Sequence, residues 1–389
     1  MTHRIYQAAR FARRVFSRPV ADASRQTQLA TVDVLRHPDE MPLDVQALLA
    51  DASNEYIEFG TTWFRNLVGT VFAAHPGVRF YVLRSDGQPI IALAVLVQSA
   101  ALSNRAESLG NYYTALYCPA ISSDATLADM VLLLEALKRD HAPLVSMRFS
   151  PMDPQSPNYI FLRDALKSAG FSPYEFFCFG NWYLNVNGNW ESYLMSRTGT
   201  LRSTIKRMSK KFLTDGGRLE IISAGADVER ALQAYEQVYA ASWKNTEPHP
   251  NFIQGLVRAS AAQGWLRLGI AWLQDKPIAA QIWIVANRKS NIYKLAYDES
   301  YKAYAPGTLL TAMLMQHSFE VDNVTKVDYL MGDDPYKKTW MSDRQERWGI
   351  VAYNRSTVAG AMLLAKEIAG RKLKPWMDKL KKKGPGHEP

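Results

Sequence analysis

Asp328, in the run VDYLMG, is a carboxylate on an otherwise apolar, strand-like stretch, and Tyr336 and Lys337 follow in GDDPYKKTW. The latter two fall in a loop just past a strand end, a frequent place for reacting groups. Lys294 stands upstream in NIYKLAY. A carboxylate whose pKa is raised by burial can take a proton, a phenol can return one, and a well-aimed lysine can stabilise an oxyanion by roughly 3–4 kcal/mol. Between these residues, AYAPGTLLTAM puts Pro306 and Gly307 at the mouth of an apolar helix. Pro suits the first helical turn because its missing N–H would have no partner there, and Gly lets a ligand approach the backbone. The amides of Gly307, Thr308 and Leu309 then point along the positive end of the helix dipole, a position suited to a pyrophosphate and worth around 0.3–1 kcal/mol to an anion.

Each of these residues has a plainer reading. Asp328 with Lys294 or Lys337 can be a structural ion pair, and Pro-Gly before a helix is often only a turn. Gln281 can contact substrate or satisfy backbone groups, and Trp243–Lys244 can be an acceptor contact or a packed ring beside a solvated lysine. His317 falls on an apolar helix face and reads as a core residue, while His249, between two prolines, is uninformative. No metal-ligand spacing and no nucleophile triad occurs.

These residues need elements to hold them, and the sequence provides the same plan twice. FYVLRSDGQPIIALAVLV from Phe80 and LGIAWLQDKPIAAQIWIV from Leu268 each read as strand, turn, Pro, strand. NYYTALY from Asn111 then matches NIYKLAY from Asn291, and VSMRFSPMDP from Val145 matches VDYLMGDDP from Val327. A helix lies between in both halves, from Asp124 and from Pro306. The predicted order is strand, turn, strand, strand, helix, strand in each half, an α/β (α+β) architecture with a mixed central sheet flanked by helices. The expected parts are a basic N-terminal segment (1–25), a first domain (26–185), a second domain (186–364) and a basic tail (365–389).

Comparison of the halves places the site. Gln281 aligns with Leu93, and Lys294 with Thr114. Polar groups at apolar strand positions cost on the order of 1–3 kcal/mol unless partnered, so their concentration assigns the site to the second half. The first half then supports the fold or shapes an acceptor pocket. Strand alternation from Asn291 predicts Lys294 and Asp298 on one side with Ile292 and Ala296, and puts Asp328 opposite Val327 and Tyr329.

Charge is unevenly spread. The net charge is +9; residues 1–18 contribute +5, residues 365–383 carry eight basic side chains against Glu367 and Asp378 for +6, and −2 remains between. A nearly neutral body argues against a nucleic-acid groove in the fold. At the N-terminus Ile5, Ala8, Ala12 and Phe16 line one helical face with Arg10, Arg14 and Arg18 elsewhere, so both ends suit an anionic membrane surface. The helix RSTIKRMSKKF is expected to bury Ile205, Met208 and Phe212 and expose its basic residues. The two cysteines, Cys118 and Cys178, fit a reducing compartment, and neither sits near a His or a basic cluster. The apolar run from Ile90 is too short to span a bilayer and reads as a buried strand. The expected location is cytoplasmic, peripheral at a membrane's inner face.

The segment from Trp243 to Trp340 resembles the BioF2-like acetyltransferase domain of CelD-like proteins, which belong with FemAB-like transferases to the GNAT superfamily. The matching pieces are SWK at Ser242–Lys244, IAAQIWIV around Gln281, YKLAYDESYKAYAPGTLL from Tyr293 and VDYLMGDDPYKKTW from Val327, with TLRSTIKRMSKKF extending the likeness upstream. The resemblance implies a tandem GNAT fold, an acyl-CoA cosubstrate, no metal, and direct transfer to an amine such as an amino sugar, a polysaccharide precursor or a lipid amine. In that reading Asp328 is the base, Lys337 or Lys294 faces the oxyanion, and Tyr336 protonates the leaving thiolate. Pro306, Gly307, Thr308 and Leu309 hold the donor, while Gln281, Trp243, Lys244 and Asp298 meet the acceptor. The usual glycine-rich pyrophosphate loop is missing, and the Pro-Gly turn stands in its place. Two rival readings remain: an aminoacyl-tRNA-dependent FemAB-like transferase, and a noncatalytic envelope-assembly factor bound through its basic ends.

Overall fold

The computed structural model describes residues 30–381 except 55 and 102, with side chains as far as residue 373. The basic N-terminal segment and the last eight residues lie outside the described residues. Thirteen strands form one sheet: β1 (Ala30–Leu35), β2 (Val78–Ser85), β3 (Gln88–Gln98), β4 (Asn104–Ser108), β5 (Ala120–Ile121), β6 (Leu144–Met152), β7 (Phe171–Asn185), β8 (Gly217–Ile222), β9 (Leu266–Leu273), β10 (Lys276–Ala286), β11 (Lys289–Tyr297), β12 (Lys326–Asp328) and β13 (Asp343–Asn354). The helices are α1 (Leu43–Ser53), α2 (Thr61–Thr70), α3 (Leu127–Asp140), α4 (Pro157–Ser168), α5 (Trp190–Met195), α6 (Gly199–Thr214), α7 (Asp227–Ala240), α8 (Pro250–Ala262), α9 (Pro306–Glu320), α10 (Lys337–Trp340) and α11 (Val358–Lys381).

The repeat is visible in the pairing. β2–β3 and β9–β10 are matched hairpins, turned by Asp86–Gly87 and Gln274–Asp275, all at positive φ as tight hairpin turns require. Each half then contains a parallel pair, β4 with β6 and β11 with β12, crossed over by α3 and α9. The sheet order β1-β2-β3-β4-β6-β13-β7-β12-β11-β10-β9-β8 shows that the halves exchange their last strands. β7, at the end of the first half, pairs with β12, and β13, near the chain end, pairs with β6. The boundary expected at 185/186 therefore falls at the end of a strand bonded into the second half.

One expected strand is absent. Asn111–Tyr117 is irregular, and β4 supplies the third strand of the first half instead. Local side-chain bonds compete with the ladder there: Asn111 Oδ1 accepts from Tyr113 N at 2.9 Å, and Thr114 Oγ1 accepts from Asn111 N at 3.2 Å. The turn swings Tyr113 onto Phe252 of α8, ring centroids 4.3 Å apart and nearly parallel.

Three apolar cores result. α3 and α4 cover one face of the first half, and α9 with α5 and α6 covers one face of the second. The third core is shared by both halves: α1 and α2 meet α7 and α8, with Trp63 edge-on to Phe252 at 5.3 Å and Asn66 Nδ2 donating to the Phe252 carbonyl at 3.0 Å. In α6, Leu201 and Phe212 are buried while Ile205 and Met208 are half-buried, and Lys206, Arg207, Lys210 and Lys211 face solvent. No helix among the described residues is long and apolar enough to cross a membrane.

Candidate active site

β11 and β12 are bonded only over residues 289–291 and 326–328. Beyond that point β11 continues along β10 to Tyr297, while the other chain turns away. Leu330 takes φ 55° and Gly332 φ 99°, and Asn181 Nδ2 holds the Leu330 carbonyl at 2.6 Å. The parted strands leave a cavity of about 200 Å³ lined by residues 292–295 on one side and 329–331 on the other. A bulge at Tyr293 adds to the opening: Ile282 faces Lys294 while Trp283 faces Ile292. The extra residue also reverses the alternation. Ile292 packs with Leu295 against the α9 side, whereas Ala296 enters the opposite core, so Lys294 cannot share a side with both as expected.

Four sequence-predicted residues meet at this cavity: Lys244, Lys294, Tyr336 and Lys337. Lys294 Nζ is 2.5 Å from Glu247 Oε1 and 3.0 Å from the Tyr112 hydroxyl. Burial pulls its pKa down against the pull of Glu247. Glu247 also accepts from Tyr112 at 2.6 Å and Tyr113 at 2.7 Å; burial works to raise its pKa, but Lys294 and the tyrosines hold it below the usual value. Lys337 Nζ donates to the Met331 carbonyl, to the Gly332 carbonyl at 3.3 Å, and pairs with Asp334 at 3.1 Å. Burial lowers its pKa, with Asp334 opposing. Lys244 differs: its ammonium makes no hydrogen bond or ion pair among the described residues, and burial followed by the charge of Lys294 lowers its pKa. Tyr336 packs edge-on to Tyr329 at 5.8 Å, and burial raises its pKa.

The other predicted residues lie elsewhere. Asp328 is 1% exposed and does not line the cavity. Its Oδ1 accepts from Asn181 Nδ2 at 2.6 Å and from Leu330 N at 2.8 Å, and its Oδ2 lies 3.9 Å from Lys289 and 4.0 Å from Lys326. Burial works to raise its pKa, yet the two lysines and Asn181 hold it below the ordinary aspartate value. That is the reverse of what a base needs, and its neighbours are neither Lys294 nor Lys337. Gln281 ties β10 to α9: Nε2 donates to the Gly307 carbonyl at 3.0 Å and to Thr311 Oγ1 at 2.8 Å, and Oε1 accepts from Trp283 at 2.8 Å. Asp298 caps a turn through Ser300 N at 3.0 Å and pairs with Lys276 at 3.2 Å. Trp243 packs on Tyr297 at 4.8 Å, outside the cavity.

The helix start is less open than the sequence implies. Thr308 N and Leu309 N both donate to the Ala305 carbonyl, at 3.0 and 3.1 Å. Ala305, at φ 50°, ends the preceding turn and begins α9, so its carbonyl serves the first amides. Pro306 and Leu309 are buried, and Gly307 and Thr308 half-buried. An anion would meet the Gly307 amide alone among the three.

Among the described residues of the first half, the corresponding chains stay together. Tyr117 N donates to the Pro151 carbonyl at 2.6 Å, and Ser108 Oγ to the Ser150 carbonyl at 2.7 Å, closing the chains that would part. The space beside Tyr117 and Met152 is about 10 Å³, room for a water at most. Its contribution is instead Tyr112 and Tyr113, which line the cavity of the second half. Those tyrosines, Tyr329, Asp334 and Glu247 escaped the sequence reading. The match of NYYTALY to NIYKLAY flagged the tyrosine segment as a strand rather than a wall, and Glu247 in TEPHP carries no signal.

Residues 199–338 match the acetyltransferase (GNAT) domain family. The match lies wholly in the second half, which carries a GNAT acetyltransferase domain. No curated protein matches at the sequence level. Among solved structures, a conserved protein of unknown function from Bacteroides thetaiotaomicron superposes with TM-score 0.51 at 10% identity, covering 83% of this chain and 100% of that one. FemX superposes with TM-score 0.50 at 12% identity, covering 71% and 88%. The C-terminal domain of a putative lysylphosphatidylglycerol synthetase from Agrobacterium fabrum gives 0.48 at 13% identity, covering 84% and 96%. At such identities the likeness to the Bacteroides protein and to FemX is one of fold.

Proposed function

We propose that the protein transfers an acyl group from a coenzyme A thioester directly to an amine held in the cavity between β11 and β12. The observation that carries this reading is the parting of those strands. Past Asn291, β11 keeps β10 on one edge and loses β12 on the other, so its free edge can pair with the amides of an extended thioester arm. The thioester end then lies against Lys337 and Tyr336.

The amine nitrogen attacks the thioester carbonyl, the C–S bond breaks from the tetrahedral intermediate, and the thiolate takes a proton. Asp334, the one carboxylate among the described lining residues, receives the amine's proton. Lys337 exchanges its long contact with the Gly332 carbonyl for the oxyanion, and Tyr336 protonates the thiolate. Lys244 orients the acceptor, and its unpaired charge favours one bearing an anionic group. The faces of Tyr112, Tyr113, Tyr329 and Tyr336 suit a sugar ring, which fits an amino sugar or polysaccharide precursor as well as a lipid amine. The Gly307 amide is the helix-start contact left to the donor's diphosphate.

Thermal unfolding with acetyl-CoA and longer acyl-CoAs tests the donor. A rise in Tm with at least one of them is expected, and no shift with any chain length overturns the reading. Activity abolished by RNase would assign the donor to aminoacyl-tRNA instead.

A further inference from the structure

Among the described residues, the last helix leaves one face unpartnered. α11 docks on β13 and β6 through a face marked by Gly360, Glu367 and Arg371. A Cβ on Gly360 would sit 2.1 Å from the Asn354 carbonyl, Glu367 accepts from the Tyr353 hydroxyl at 3.0 Å, and Arg371 donates to the Glu175 carbonyl at 2.7 Å. Those residues recur at helical spacing, so the opposite face is fixed: Val358, Met362, Ala365, Ala369 and Leu373. This outward face is apolar. Val358 is 80% exposed, Met362 69% and Leu373 57%. In the sequence Trp376 and Leu380 continue the same spacing. Lys366 and Lys372 flank the stripe, one on each side, and both are exposed. A surface helix ordinarily turns its apolar stripe inward; here it points to solvent.

We propose that this face docks the protein on an anionic lipid surface, the apolar stripe entering the headgroup region and the flanking lysines meeting lipid phosphates. Charge selects this occupant over two others. A second copy would set Lys366 and Lys372 of one helix against the same lysines of its mate, with Glu367 already spent on Tyr353 and Arg371. Residues 1–18 of the chain carry five arginines and no acid, so they repel the same face. An anionic bilayer supplies both the apolar phase and the countercharge.

The test uses the full chain, sedimented with vesicles of phosphatidylcholine alone or mixed with phosphatidylglycerol. Binding to the mixed vesicles that weakens with added salt is expected, with little on phosphatidylcholine alone. Both V358E/M362E and K366Q/K372Q should lower partitioning by about tenfold or more, since each basic residue near such a surface contributes roughly fivefold. All four positions are exposed, so the variants should keep the wild-type Tm and circular dichroism. Failure of the wild type to bind the mixed vesicles overturns the proposal. Equal binding by wild type and both variants overturns it too, as does a lipid-independent dimer that V358E/M362E dissolves.

Discussion

Lys244, Lys294 and Lys337 bring three ammonium groups to one cavity, and their pairings decide what each is free to do. Lys294 is held by Glu247 and Tyr112, so its charge is spent on joining the two halves. Lys337 is held by two carbonyls and Asp334, but the contact to Gly332 at 3.3 Å is long enough to give way. Replacing Lys337 with Met should lower kcat by about 10²–10³ with only a small change in the thioester's KM, because the interaction is made in the transition state. Steady-state kinetics against acetyl-CoA checks this. Asp328→Asn should behave oppositely. Loss of the charge that pairs with Lys289 and Lys326 should lower Tm, while kcat stays within a few-fold of the wild type. A kcat loss for Asp328→Asn equal to that for Lys337→Met would return Asp328 to the chemistry. Sequence alone could not separate these lysines from Lys289 and Lys326. Strand parity placed Asp328 opposite Val327, but which cation it faced depended on the register of β11 against β12, which sets Lys289 beside Lys326 and Asn291 beside Asp328.

At the scale of elements, the two glycines near the site ask different things of the backbone. Gly307 lies in the first turn of α9, and an added Cβ would meet only Tyr297 at 3.5 Å, an ordinary contact. Gly307→Ala should therefore leave Tm unchanged or slightly raised, by an amount up to about 1 kcal/mol of helix propensity. If the donor's diphosphate approaches the Gly307 amide, the same variant should raise the donor's KM several-fold. Gly332 sits at φ 99°, and an added Cβ would lie 3.0 Å from Lys337 Nζ and 3.1 Å from Asp334. Gly332→Ala should cost stability and lower kcat together, by displacing the lysine. Paired Tm and kinetic measurements on both variants distinguish the cases. The helix and its Pro-Gly start were legible in the sequence, since Pro at the first turn is a local preference. The bulge at Tyr293 was not. It arises where β11 must match β10 on one edge while leaving β12 on the other, a conflict that no single strand's pattern records.

The whole molecule joins its halves through a shared core and a buried charge cluster, and the cluster makes stability depend on pH. The repeated plan was legible because hairpin, crossover helix and following strand recur as local patterns. The exchange of β7 and β13 was not, because both strands read alike whichever half receives them. That exchange brings Arg347 of β13 toward Tyr56 and Asn181, at 3.5 and 3.4 Å, and seats Lys289 over the Tyr56 ring at 3.1 Å. Glu58 is buried beside them at 4% exposure, and burial, tempered by Lys289, raises its pKa to about 7. Burial lowers that of Lys289 to about 8, with Asp328 opposing. Glu58 in the folded chain holds its proton above the pH at which the unfolded chain releases it. Its favourable term is complete below about pH 4.5 and is lost as pH rises to 7. Lys289 acts in the other direction above pH 8, where the unfolded chain keeps the proton that the folded one has released, so stability rises again toward the ordinary lysine value. The unfolding free energy should therefore dip near pH 7–8. Glu58→Gln mimics the protonated acid, so it should leave Tm near the wild-type value at pH 5. At pH 8 it should raise stability by an amount on the order of 1–3 kcal/mol. Denaturant melts of both proteins across this range measure the difference directly. A constant gap between them at every pH would mean that Glu58 titrates alike in the folded and unfolded chain, and that the charges joining the halves are better solvated than their burial implies.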